Sequence, residues 1–423
     1  MFSAKTFSRR RGTSTPAQAA ASRRLTLERL EERDVPAGIV SVFASQGSFA
    51  GTVNLVITGD DLDNQVDIVR ESGQVKIIAQ GTTVLHYNLS SNPGVSVTPT
   101  YTQITFDASG GIRDISITMG GGHDAVRVSA IGNHSFGNFG VNLGSGNDSF
   151  LLLGSSSTAP NINFVNSFSL DSDSGDDLVY VYKTALSGGT VSTGEGNDTV
   201  YLNDCGVAIS TSLGAGNDTL LVNSCRSGPF SADLGSGNDQ ANFTGNNKFG
   251  RLFGSTWDGG LTVVGGGGHD LLSFSGRTEV LNKLNIDLGV GNDRLLVAAA
   301  ANAADPATLS VDGPDGQVNA LIRLQAGNDL VRFGTGAGSG PSVNFADQTR
   351  LEMGSGDDAL FIRNAIFNLL IALLGDGNDQ VLNNWGGSGV TVGAGSKLHG
   401  GAGVDLLPSG WTTPPNLTIL AIP

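Results

Sequence analysis

One five-residue string constrains this chain more than any other feature. Gly-x-Gly-x-Asp occurs ten times, ending at Asp124, Asp148, Asp198, Asp218, Asp239, Asp270, Asp293, Asp358, Asp379 and Asp405. Two degenerate copies end at Asp177, with Asp173 in the first Gly position, and at Asp329, with Gln325 there. Chance would supply roughly 0.7 copies in a chain of this composition, so the set is a true internal repeat. Two residues after each Asp stands an apolar residue, from Val126 and Phe150 to Val381 and Leu407. Four residues after, ten of the twelve positions are apolar, and only Asn383 and Ser409 are not. Apolar residues at steps of two describe a strand with one face turned inward. Strands also precede many of the turns, as in Leu284 to Leu288 and Leu321 to Leu324. Each unit therefore reads as strand, tight turn, strand and loop.

Successive motif aspartates lie 20 to 36 residues apart, with the most regular spacing between Asp177 and Asp239. A period near 20 suits two or three short strands per coil, and coils of that kind stack. The expected fold is all-β: a parallel β-solenoid of about 12 to 15 rungs spanning residues 39–423, with the turns along one edge. At ~4.8 Å per rung this is a rod of about 60–70 Å. Residues 244–260 and 298–317 are expected to bulge as loops. A faded copy over Gly59 to Asp67 is expected to begin the solenoid. The 20-residue rung also places Cys225 over Cys205 and Asn223 over Asn203, which leaves open a disulfide or two free thiols.

Composition agrees with the repeat. The 62 Gly are about twice the usual share, and the 39 acidic residues comprise 32 Asp and 7 Glu. Asp belongs to turns and hard-cation sites, whereas Glu is the better helix former. Residues 1–38 carry 8 basic and 4 acidic side chains, and the remainder carries 16 and 35, a net of −19. Such a body repels nucleic acid and anionic lipid. No run of 18 or more apolar residues offers a transmembrane helix.

The turn resembles the hemolysin-type calcium-binding repeat of the repeats-in-toxin family, Gly-Gly-x-Gly-x-Asp-x-apolar-x. Two copies match its whole opening, Gly265 to Asp270 and Gly400 to Asp405. Most others put another residue in the first place, as at Leu143, Thr193, Leu213, Leu234, Leu288, Met353 and Leu374. The family runs its nonapeptides in tandem, whereas one motif per rung occurs here, which implies a single row of turns. The resemblance implies a parallel β-roll with Ca2+ held between stacked turns by carboxylates and backbone carbonyls. The implied metal ligands are Asp124, Asp148, Asp177, Asp198, Asp218, Asp239, Asp270, Asp293, Asp329, Asp358, Asp379 and Asp405.

Electrostatics points the same way. Like charges ~5 Å apart repel by roughly 1 kcal/mol in water and about 3 kcal/mol at an effective dielectric of 20. A row of them calls for neutralisation, and calcium accepts carboxylate and carbonyl oxygens together. A metal-free reading also stands. Asn precedes Asp in seven turns, and Asn and Asp side chains bond turn backbone without any metal, giving an Asn/Asp ladder on a wet edge.

At the N-terminus, Leu27, Glu28, Leu30, Glu31, Arg33, Val35, Pro36 and Ala37 resemble a sorting motif of large bacterial surface proteins. The resemblance implies that residues 1–38 direct export and that the solenoid works outside the cell or at its surface, with calcium, surface polysaccharide or other surface proteins as partners. No enzyme is expected. His123 and His269 each precede a motif Asp, and His86, His134 and His399 do not converge with other groups. Neither a nucleophile elbow, a zinc-protease helix nor a phosphate loop occurs. A polysaccharide lyase or hydrolase on a β-helix is the alternative, but it would need basic groups facing the carboxylates, and the basic residues show no such alignment. The segment Phe249 to Trp257 gathers aromatic residues and reads as a loop over the solenoid flank or a sugar-binding patch.

Overall fold

A computed structural model describes residues 38–420, apart from 50, 72, 89–93, 131–133, 155–161, 187, 227, 254–255, 299–307, 314–316, 335–339 and 384. The export-like segment lies outside the described residues. Residues 37–423 form one compact unit. It is all-β, built on a 22-stranded and a 15-stranded sheet whose pairings are mostly parallel, with strand joined to strand one rung on.

One regular coil shows the plan. Residues Gly189–Glu195 run into the Gly-Asp turn, Thr199–Asn203 follow in the other sheet, and Gly206–Val207 return to the first. A corner between the last two is made by a residue in the left-handed region, and it stacks from rung to rung at Lys183, Asp204 and Ser224, with φ of 52°, 54° and 56°.

The strands after the turns carry the core in register. Val126 pairs with Phe150, then Val179, Val200, Leu220, Ala241, Leu272, Leu295, Val331, Leu360 and Val381. All are buried, as the two-residue period requires. Phe150, Phe168, Phe243 and Phe274 fill the interior between the sheets, and Phe243 stacks on Phe274 with ring centroids 4.9 Å apart.

The ends differ from the middle. The faded turn stacks directly on the turn ending at Asp124, where the N–H of Asn64 reaches Asp124 Oδ1 across 60 residues. The chain between spends itself partly on an antiparallel set, Gln65–Glu71, Gln74–Ala79, Gln103–Phe106 and Val97–Pro99. That set covers the edge of the parallel sheet, which would otherwise present unpaired N–H and C=O groups. Near the other end, Trp385 is fully buried and lies 5.6 Å from the Trp411 ring.

The region 244–260 departs from the loop expectation. Asn246–Phe249 is a rung strand paired with Arg277–Leu281, and Arg251–Phe253 and Thr256–Asp258 form a small hairpin. Most of 298–317 lies outside the described residues, but Leu309–Asp312 is again a rung strand. The stacked cysteines are two free, buried thiols. Cys205 donates to Asn203 O at 3.2 Å and Cys225 to Leu202 O at 3.3 Å.

Candidate functional site

The twelve motif aspartates form one column, and it runs inside the solenoid. Each is at most 4% exposed. The metal-free expectation of an Asn/Asp ladder on a wet edge is corrected for the aspartates: those from Asp124 to Asp379 each stand two residues before a buried strand residue and point inward with it, after a tight turn whose glycines adopt positive φ, 92° and 132° at Gly144 and Gly146. At Gly144 and Gly146 a side chain would collide with the turn before. A Cβ on Gly144 would stand 1.7 Å from Gly120 O, and one on Gly146 would stand 1.6 Å from Gly122 O.

Each carboxyl stitches two rungs together. The N–H of Asp124 donates to Asp148 Oδ1 at 2.7 Å, that of Asp148 to Asp177, and that of Asp177 to Asp198. The series continues through Asp218, Asp239, Asp270, Asp293, Asp329, Asp358 and Asp379 to Asp405. The bond runs to the neighbouring turn, not to the carboxylate's own turn.

The residue before each Asp makes a second, exposed ladder of opposite sense. The N–H of Asn217 donates to Asn197 Oδ1 at 2.9 Å, and that of Asn238 to Asn217 Oδ1 at 2.9 Å. Inner side chains thus reach toward the N-terminal rung and outer ones toward the C-terminal rung. His123 and His269 belong to the outer ladder, since their Nδ1 atoms accept the N–H of Asn147 and Asn292 at 2.8 Å. Sequence reasoning placed these histidines in the turn but missed the bond they make. The signal was present: this position holds Asn, Asp or His, all with a short-reach acceptor, in every turn but the last, where Val404 ends the series.

The other carboxyl oxygen of the inner column has no partner. Oδ2 of all twelve aspartates is buried without a hydrogen bond. Serine and threonine relieve this only in part: the Ser172 and Thr193 hydroxyls stand close enough to Asp177 and Asp198 to favour their ionised form, as the Asn64 amide does at Asp124, but the hydroxyl hydrogen bonds run to Thr193 O and Leu213 O. Elsewhere the residue at that position is apolar and buried, as at Leu143, Leu213, Leu234, Leu288 and Met353. At Gly265 the place of a missing Cβ is 2.5 Å from Asp270 Oδ2 and 2.4 Å from Leu288 O, so the free oxygen shares that space with a main-chain carbonyl.

Burial raises the affinity of the carboxyls from Asp124 to Asp379 for a proton. Loss of solvation is the largest cause, the backbone N–H opposes it, and in most rungs neighbouring carboxylates add to it. Asp124, Asp177, Asp239, Asp329 and Asp358 are pushed up to about 7, and Asp218 and Asp293 to about 6. Asp148, Asp198, Asp270 and Asp379 move the same way.

Asn64 shows what the turn requires. It holds the Asp place in the first turn, and its side-chain amide donates to Asp60 O at 3.2 Å and Leu62 O at 2.5 Å. A proton-bearing nitrogen meets the turn carbonyls there, and an ionised Asp brings no proton to offer. No ion pair among the described residues involves a column aspartate. Among the same residues, no three carboxylate, imidazole or thiol groups converge on one point. A cation at any rung would therefore draw carboxylates from at most two turns and take its remaining ligands from backbone carbonyls. The donors are hard oxygens, the class that calcium accepts.

Comparison with protein-family models, with curated proteins and with solved structures finds no match to this chain.

Proposed function

We propose that the chain is an exported β-solenoid with a structural or adhesive role at the cell surface, stiffened by calcium along its aspartate column. One observation carries the reading: twelve buried carboxyl groups, each with a second oxygen that nothing in the chain satisfies. Burying an ionised carboxylate without a partner is costly, so each must gain a proton or a cation. Outside the cell, where calcium is plentiful, a cation between rungs would neutralise two carboxylates at once. Asp177, Asp198, Asp218 and Asp239 head the candidate ligands because their rungs follow one another at 21, 20 and 21 residues. Calcium would supply charge neutralisation and a cross-link between rungs. The surface location rests on the sorting-motif resemblance at Leu27 to Ala37.

The experiment is a melting curve of residues 38–423 at pH 7.5 in chelator and in 5 mM calcium. A ligand bound only by the folded state raises Tm by mass action. Equal Tm values in the two buffers would remove calcium from the reading and leave the scaffold.

A second reading, the metal-free ladder, is favoured by one specific observation: Oδ1 of every column Asp is already committed to a backbone N–H, which ties the rungs without any ion. In that case the column is held as neutral acid, and acid strengthens the fold in chelator and in calcium alike. The enzyme alternative is not adopted, because no lysine or arginine pairs with the column among the described residues.

A further inference from the structure

The longer sheet carries a groove of about 410 Å3 that crosses successive rungs. It passes from strand Gly189–Glu195 over Ser210–Ala215, Phe230–Ser236 and Gly260–Gly267 to Lys283–Asp287, each the parallel partner of the one before. Four rung steps make about 19 Å. A volume of this size is ordinary for a ligand site. A groove that runs across successive rungs suits an extended chain lying along the axis.

Two glycines of the lining stand where no side chain fits. Gly189 and Gly260 have φ of 138° and 152°, and a Cβ on either would lie 1.8 Å from Phe168 O or 2.0 Å from Lys283 O. Ser210, Ser231 and Thr262 stand in register along one side. Their hydroxyls make no hydrogen bond within the chain among the described residues, and the Lys283 ammonium has no ion pair there. Although the body is rich in Asp, no carboxylate lines the groove. The hairpin bearing Trp257 leads straight into Gly259 and Gly260 at its floor.

We infer that this groove binds a linear, neutral polysaccharide running along the solenoid axis. Free hydroxyls both donate and accept, as sugar hydroxyls do, and here they repeat with the rung, so a repeating polymer meets the same contact several times. Multiple weak contacts of this kind sum to useful affinity through effective concentration. The net charge of −19 on the body opposes a polyanion. The inference deepens the surface-scaffold reading by naming its partner class, and it does not depend on calcium.

The test is affinity electrophoresis of the full chain through gels containing hydroxyethylcellulose, a linear mannan or polygalacturonate. Retardation by at least one neutral polymer and none by polygalacturonate is expected. The variant Ser210→Glu/Thr262→Glu, altered only at outward-facing strand positions two rungs apart, should weaken retardation about tenfold, equivalent to about 1.4 kcal/mol, with Tm within a few degrees of the parent. Lys283→Ala, a milder change, should weaken it less, and it provides the reading if the double variant does not fold. Absence of retardation by both neutral polymers, stronger binding to polygalacturonate, or wild-type binding by the folded variants overturns the inference. Calcium-dependent melting of the same preparation stands or falls separately.

Discussion

Asp198 and Asp218 are joined across one rung by a single hydrogen bond, in which the backbone N–H of the first donates to Oδ1 of the second at 2.8 Å. The two oxygens of Asp218 therefore have different work: one ties rungs, and the other carries an unmet demand for a proton or a cation. Substitutions can separate these roles. Asp218→Ala removes the acceptor and leaves a buried N–H on Asp198, a loss of about 1–3 kcal/mol. Asp218→Asn keeps the acceptor, removes the charge and offers N–H groups to the turn, as Asn64 does. In chelator at pH 8, urea unfolding should show Asp218→Ala less stable than the parent and Asp218→Asn equal or more stable. In calcium the advantage of Asp218→Asn should vanish.

Stability without metal should rise as pH falls. The pKa values from Asp124 to Asp379 are raised by folding, to about 6 or 7 in seven of these aspartates. The folded state thus binds protons more tightly than the unfolded chain, whose aspartates titrate near 3.9. The penalty for ionised carboxyls is fully present above about pH 7 and is relieved as pH drops toward 4. Melting curves in chelator should show Tm climbing from pH 8 to pH 5. A fall in Tm over that range would mean that the column is already neutralised at pH 8.

The outer ladder should matter much less than the inner one. Asn217 accepts from Asn238 and donates to Asn197, but both contacts are exposed and water can replace them. Asn217→Ala should cost about 0.5–1 kcal/mol by urea unfolding, well below Asp218→Ala. Equal losses would show that the inner bond carries no special weight.

Where the repeat departs from Gly, the backbone is under strain. Asp173 and Gln325 take the first Gly place with φ of 67° and 68°, a region that costs an L-residue about 1 kcal/mol. Asp173→Gly should raise the free energy of unfolding by up to about 1 kcal/mol, less the entropy glycine adds to the unfolded chain.

Cys205 and Cys225 should remain thiols and stay protected. Both are buried, and burial pushes the Cys225 thiol up. Iodoacetamide should leave both unmodified in the native protein and label both in denaturant without reductant, as read by intact mass. Two missing labels after denaturation would reveal a disulfide.

The strand pattern was plain in the sequence because a two-residue period states which side chains go inward, and Val179, Val200 and Leu220 stack as the spacing required. The direction of the Asp side chain was legible in the same alternation, since Asp198 stands two residues before Val200 and four before Leu202 and is buried with them. What the period did not show is the hydrogen bond each carboxyl makes to the neighbouring turn. The stacking of Asn64 on Asp124 was hidden for another reason: 60 residues separate them, and the antiparallel edge strands that intervene follow the same alternation as any other strand. The twelve column aspartates were readable as a list, but the division of each carboxyl into a bonded and an unbonded oxygen came only from three-dimensional placement.

The inner ladder measures nothing but the step from one rung to the next. Its bond is 2.8 Å between Asp198 and Asp218, 20 positions apart, and 2.7 Å between Asp293 and Asp329, 36 positions apart. Insertions are absorbed away from the turns, and the turns remain interchangeable. A gain or loss of whole coils would leave the turn-to-turn bond unchanged, so the length of such a column is set by the number of coils and not by the length of any one of them.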